Sequence, residues 1–218
     1  MVDVVLASAS PARLTTLTRA GITPRVLVSH VDEDAILSSL PFPPQERPAE
    51  AVSALAVAKA REVANQLSAH IGNEPTLVIG CDSMLEFDGE ILGKPHSADV
   101  AAQRWRRMRG QHGHLHTGHH VILLANGTHQ EVTKAGVTTV WFSQLTDEEI
   151  TAYVATEEPL HVAGAFTIDG LGGAFIDRID GDHHLVVGLS LPLLRSLVTT
   201  LGVPWTALWD CPPDSGLS

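Results

Sequence analysis

A mixed α/β fold, a twisted sheet with flanking helices, is predicted by three features of the chain. Short apolar runs of strand length alternate with segments of helical periodicity. Turn residues separate the two kinds of segment. Hairpin signals at Asp88-Gly89 and Asn126-Gly127 interrupt the alternation, so the strands cannot all run parallel. The 218 residues, 44% hydrophobic and 18% charged, suffice for a buried core without a disulfide or metal staple. No linker divides them. One domain is expected over 1–205, with a loose tail at 206–218.

The elements follow in order. Asp3 to Ala7 reads as a short buried strand. Ser8-Ala9-Ser10-Pro11 then supplies a loop, a cap and a proline suited to a first helical turn. Leu14 and Leu17 give that helix an inner face, and Ala20-Gly21 ends it. Arg25 to Ser29 is a second strand, followed by the acidic Asp32-Glu33-Asp34. Four prolines fall within residues 40–48, and Pro48 opens a long helix to about Ala69. Its apolar stripe runs through Val52, Leu55, Ala56, Ala60, Val63 and Leu67. Lys59 lies on the same stripe, so it either snorkels out or points into a cleft holding an anion.

Thr76 to Cys81 is the strongest strand and is expected to stop at Asp82-Ser83, with a hairpin over Met84 to Leu92. Ser97 caps a helix whose Ala101, Trp105 and Met108 point inward. Strands flank Asn126-Gly127, and another spans Ala135 to Phe142. Thr146 with Glu149 forms a capping box. Glycines cluster from Gly164 to Gly173, Ala174 to Ile179 reads as a strand, and Ser190 to Leu201 is a last helix closed by Gly202.

Fourteen Lys and Arg against twenty-five Asp and Glu leave a net charge of −11. Such a chain repels a phosphate backbone, which argues against nucleic-acid binding. No run is long enough to cross a membrane, and the first residues lack the basic start and long apolar stretch of a signal peptide. Two well-separated cysteines, Cys81 and Cys211, suit a reducing compartment, so a cytoplasmic protein is expected. Any anionic ligand must then be met by a few local cations.

Those cations can be sought. Ser8, Ser10 and Arg13 surround a strand-to-helix junction, where hydroxyls, backbone N–H groups and a helix N-terminus favour an anion. A plain cap with a surface arginine explains the same residues. Asp82 follows a buried strand and is a candidate metal ligand or general base, or else a turn cap. Lys94, in Gly93-Lys94-Pro95, gains meaning only as one of a set. Glu33 and its acidic neighbours offer the oxygens Mg²⁺ shares with phosphates, or form a solvated loop. His112, His114 and His116 alternate, with His119 and His120 beyond, which allows a zinc or nickel site or merely a polar loop entering a strand. Cys81 points away from Asp82 and reads as a core thiol. Gly170-Leu171-Gly172-Gly173 has neither the context of a dinucleotide fingerprint nor the spacing of a Walker loop.

Taken together, these segments resemble the Maf family of nucleoside triphosphate pyrophosphatases. Leu6-Ala7-Ser8-Ala9-Ser10-Pro11 with Arg13 is similar to its opening signature. Ile79-Gly80-Cys81-Asp82-Ser83, followed by Asp88-Gly89-Glu90-Ile91-Leu92-Gly93-Lys94-Pro95, is similar to its central one. Ala163 to Phe166, Gly170 to Gly173 and Val187-Gly188-Leu189 match its closing blocks, so the likeness runs from about Val4 to Leu201. The resemblance implies an elongated two-lobed architecture with a central cleft, shared with inosine triphosphatases. It implies cleavage of a nucleoside triphosphate to the monophosphate and pyrophosphate with a divalent cation, Mg²⁺ or Mn²⁺. It also implies house-cleaning of modified nucleotides and a link to septum formation; a homodimer is compatible with the reading, though nothing in the chain requires one. Family roles fall on Ser8, Arg13, Glu33, Lys59, Asp82 and Lys94, with Asp82 as proton acceptor and Glu33 and Asp82 toward the metal. Three positions that tune base choice in the family depart from its common pattern: Ala12, Ser83 and Asp169. The competing readings are an inosine-triphosphate-type pyrophosphatase, a nonenzymatic nucleotide-binding regulator of septum formation, and a histidine-rich metal binder.

Overall fold

The computed structural model describes residues 2–68, 74–125 and 127–210. Among these, seven strands form one sheet: β1 (Asp3–Leu6), β2 (Arg25–Val26), β3 (Thr76–Phe87), β4 (Glu90–Leu92), β5 (His112–Ala125), β6 (Thr128–Phe142) and β7 (Ile176–Asp180). Their order is β2-β1-β3-β5-β6-β7, with β4 also paired to β3. β1 runs parallel to both β2 and β3, and the other pairings are antiparallel, so the sheet is mixed as expected. The helices are α1 (Pro11–Arg19), α2 (Glu33–Ser38), α3 (Pro48–Ser68), α4 (Ala98–Met108), α5 (Asp147–Ala155), α6 (His183–Val187) and α7 (Leu191–Thr200).

Local chemistry accounts for the boundaries. Ser10 caps α1 by accepting from the Arg13 N–H, and Pro11 opens the helix. Ser97 caps α4, and Thr146 with Glu149 makes the reciprocal capping box of α5. Asp88 and Gly89 both adopt positive φ, 53° and 74°, as a tight hairpin turn demands. Asp32-Glu33-Asp34 is not a loop: Asp32 caps α2, and the two acids that follow complement its N-terminus. The second strand is only two residues long, against the five expected. Ala135 to Phe142 is the second half of a strand that begins at Thr128. Residues 171–175 form a 3₁₀ turn before β7, which begins at Ile176 rather than Ala174.

Two cores lie along the same long strands. At one end, α1 and α7 cover one sheet face through Leu17, Leu194, Leu197 and Val198 over Leu77, Ile79 and Val121. α3 covers the other face through Ala60 and Val63 over Val5, Val78 and Ile122. At the far end, Trp105, Met108 and Tyr153 of α4 and α5 pack on Leu85, Leu115, Val140 and Phe142. Packing continues past residue 205. Leu208, in a 3₁₀ turn over Trp205–Leu208, is buried in the first core, and the Asp210 N–H donates to the Gly21 carbonyl. The rest of the expected tail, residues 211–218, lies outside the described residues, as do Ala69, Asn126 and Cys211.

Register places a gap in the sheet where the two cores meet. β1 pairs with Thr76 to Ile79 of β3, and β4 pairs with Leu85 to Phe87 on the same edge. Gly80 to Met84 therefore have β5 on one side and, among the described residues, no strand on the other. Asp82 is in the middle of that gap. It is not at a strand end as expected; β3 continues five residues beyond it, because β5 supports the other edge throughout.

Candidate active site

Two glycines bring a helix down onto this gap. A Cβ on Gly80 would lie 2.3 Å from the Ala56 carbonyl oxygen, and one on Gly118 would lie 2.4 Å from that of Val52. Only hydrogen at these positions lets the backbone of α3 approach so closely. Gly118 is the cross-strand partner of Asp82. The approach sets Lys59 directly over Asp82, and its Nζ lies 2.6 Å from Asp82 Oδ1 and 2.7 Å from Glu33 Oε1. Lys59 thus takes the second of the two courses its stripe position allowed.

Arg13 approaches from the opposite face. Nε donates to the Gly188 carbonyl (2.8 Å), Nη1 to Ser8 Oγ (2.9 Å) and to the Cys81 carbonyl (2.8 Å), and Nη2 to Ser83 Oγ (3.1 Å). Four of its five N–H donors are thereby bound to neutral oxygens. The side chain is buried, and among the described residues no carboxylate pairs with it. Gly188 has φ 115°, a left-handed conformation that turns its carbonyl at the end of α6 toward Arg13. Ser83 Oγ lies 2.9 Å from Thr117 Oγ1, which donates to the Leu185 carbonyl at 3.1 Å.

Burial pushes the Asp82 carboxyl above the ordinary carboxylate range, while Lys59 and then Arg13 pull it down and Glu33 opposes them. A carboxylate held this way is a stronger base than a solvated one. Cys81, on the other face of β3, is fully buried in the first core, and burial pushes its thiol up to about 11.

The gap therefore gathers Ser8, Arg13, Lys59, Asp82, Ser83 and Glu33. Ser10 serves as the cap of α1, and Ala12 is half-buried in its first turn. Lys94 and Asp169 are exposed, and among the described residues neither makes a hydrogen bond or ion pair that ties it to the cluster. The backbone beside Lys94 is nonetheless fixed: the Gly93 carbonyl accepts from Arg104 and from the Gly164 N–H, and the His96 N–H donates to Leu160.

The histidine run lies within β5, and no set of three or more metal-binding side chains forms among the described residues. His119 Nε2 accepts the Ser190 N–H at the start of α7, and burial lowers its pKa to about 4, so it stays neutral there. His120 bonds Thr133 and faces Glu131, and His112 stacks on Trp141.

In the sequence Gly188 stood out only as part of a closing block of the resemblance and Thr117 not at all; they meet Arg13 and Ser83 across 175 and 34 residues of chain. Sequence reasoning also missed Glu158, whose carboxylate accepts from Tyr153, Thr167 and the N–H groups of Leu171 and Gly172, and so orders the glycine-rich segment. A lone glutamate before a proline carries no such signal.

The model of the Maf-like proteins matches residues 3–201. A protein of Streptomyces coelicolor named nucleoside triphosphate pyrophosphatase is 54% identical over 205 residues, covering 94% of this chain and 93% of its own. Proteins of the same name from Cutibacterium acnes and Mycobacterium marinum are 49% and 48% identical, each covering 98% of this chain and at least 98% of their own. The solved structure of the Staphylococcus aureus Ham1 protein superposes with a TM-score of 0.40 at 12% identity, over 91% of this chain and 99% of that one.

Proposed function

The chain belongs to the Maf-like proteins, and from that premise we propose that it hydrolyses nucleoside triphosphates to the monophosphate and pyrophosphate at the gap in the edge of β3. The observation that carries this reading is a buried carboxylate, Asp82, set between two buried cations on opposite faces of the sheet. Arg13 and the hydroxyl of Ser8, at the start of α1, would meet the phosphates, with the exposed Lys94 reaching them from the loop after β4. Lys59 would hold Asp82 ionised and aimed. Asp82 would accept the proton of the attacking water, a task its raised basicity favours. With an overall charge of −11, these local cations are what allow a triphosphate to approach.

The oxygens of Glu33 and Asp82 already converge on one nitrogen, that of Lys59. Two carboxylates completed by phosphate oxygens and water make a donor set that Mg²⁺ or Mn²⁺ accepts, so these residues fit the divalent ion that the resemblance implies. Such an ion would neutralise phosphate charge and lower the pKa of bound water. A purely binding role would use Asp82 as a counter-ion or metal ligand and would not draw on its raised basicity. No helix among the described residues is long and apolar enough to cross a membrane. We place the activity in the cytoplasm, where nucleoside triphosphates are made and used. Ala12 and Asp169, at positions that tune base choice in the family, are the candidates for contact with the base.

The test is to incubate the protein with Mg²⁺ and a panel of ordinary and modified nucleoside triphosphates, assaying pyrophosphate and orthophosphate separately. Pyrophosphate in step with monophosphate is the expected result. Orthophosphate as the first product, or no release from any nucleotide by folded protein, would contradict it.

A further inference from the structure

Arg13 can orient a phosphate only if the guanidinium plane is itself held, and four hydroxyl and carbonyl groups outside α1 hold it. Thr117 is fully buried, with its Oγ1 3.1 Å from the Leu185 carbonyl and 2.9 Å from Ser83 Oγ. The carbonyl can only accept, so the Thr117 proton goes to it. Thr117 Oγ1 must then accept the proton of Ser83. Ser83, its proton spent, accepts from Arg13 Nη2, which can only donate. The opposite order would take from the Leu185 carbonyl its side-chain donor, leaving it only the Gly188 N–H, and would leave the Ser83 proton without an acceptor among the described residues. One direction alone fills all three links: Arg13 to Ser83, Ser83 to Thr117, Thr117 to Leu185.

The chain closes on itself. Leu185 lies within α6, and the carbonyl of Gly188, at the end of the same short helix, takes the Arg13 Nε–H at 2.8 Å. The guanidinium is therefore fastened to one turn at two points, directly through Nε and indirectly through β3 and β5. We propose that Thr117 is a positioning residue that orients Arg13 through Ser83, and that Ser83 serves the phosphate-facing cation and not the choice of base. This rests on the reading of Arg13 as the group that meets the triphosphate. Both the proton and an accepting lone pair of Ser83 are already engaged, so its replacement changes all nucleotides alike.

The experiment compares wild type with Thr117→Val, Thr117→Ser, Ser83→Ala and the double variant Ser83→Ala/Thr117→Val. For each, kcat and KM are measured with a purine and a pyrimidine triphosphate, and the exchange rate of the Arg13 Nε–H is followed by NMR. Thr117→Val keeps the shape and removes the hydroxyl. It should lower kcat/KM about tenfold, the scale of one hydrogen bond leading to a charged group, and by the same factor for both nucleotides. Thr117→Ser should recover wild-type behaviour, and the double variant should be no slower than Ser83→Ala alone. Exchange at Arg13 should quicken in Thr117→Val and return to the wild-type rate in Thr117→Ser. An unchanged Thr117→Val, a Thr117→Ser as impaired as the valine variant, additive losses in the double variant, or a Ser83→Ala that alters the purine-to-pyrimidine ratio would each overturn the proposal. Wild type without turnover would overturn the proposed function, while the exchange rates would still decide whether Thr117 holds Arg13.

Discussion

Arg13 and Lys59 are buried almost equally, at 9% and 8% exposure, on opposite faces of the same sheet, yet their surroundings differ in kind. Lys59 is matched by two carboxylates, Asp82 and Glu33. Arg13 is wrapped in neutral oxygens, two carbonyls and two hydroxyls. A buried cation without a counterion is costly, and the cost falls when an anion arrives. Both cations pull the Asp82 pKa down, Lys59 more than Arg13, but only Lys59 is paired with carboxylates; under the proposed function the unpaired charge of Arg13 is what meets a ligand. The same residue class under the same burial thus does two jobs, and the partners decide which.

Among tests of the contrast between the two cations, the largest effect is expected where the uncompensated charge is disturbed. Arg13→Lys keeps the charge but loses the fork that reaches Gly188, Ser8, Cys81 and Ser83 together, and kcat/KM should fall about 10²-fold, as when one pre-organised donor is removed from a catalytic site. Steady-state kinetics on the folded variant checks it, and a loss confined within twofold would erase the contrast between the two cations.

Next is the geometry that brings Lys59 to Asp82. Gly118→Ala sets a methyl 2.4 Å from the Val52 carbonyl oxygen and must push α3 off the sheet. Thermal and urea unfolding should show a loss of about 2 kcal/mol, in the range of overpacking, together with lower turnover. Stability and activity that are both unchanged would mean that α3 has room to spare.

The smallest effect is a shift along the pH axis. Lys59 pulls the Asp82 pKa down against a larger upward push from burial. The acid limb of the kcat/KM profile, where Asp82 takes up a proton and ceases to be a base, should therefore lie above the ordinary aspartate value of about 3.9. In Lys59→Met, with the opposing cation gone, the limb should move to still higher pH. A limb that moves downward or stays in place would assign it to another group.

Half of this comparison was legible in the chain. Lys59 announced itself as a charge on an apolar helical stripe, and Ser10-Pro11 marked the helix that carries Arg13, because helical period and capping are local rules. Of what surrounds Arg13, Ser8 was legible as its neighbour at the strand-to-helix junction, and the distant partners were not. Gly188 is 175 residues away, and only the left-handed turn at the end of α6 brings it near. Asp82 looked like a strand terminus because a charge usually ends an apolar run; it continues a strand here because one edge is open while β5 carries the other. The histidines suggested a metal by their spacing, but among the described residues they form no group of three metal-binding side chains, and His119 Nε2 accepts the Ser190 N–H.

In the proposed function, Asp82 is the base between these two cations. The direct measurement is kcat for Asp82→Asn beside the affinity of the same variant for a nucleoside triphosphate. Turnover should fall about 10³-fold, within the range for losing a general base, while the protein melts cooperatively and the triphosphate still binds at Arg13. Undiminished turnover in the folded variant, or binding lost as completely as turnover, would contradict it.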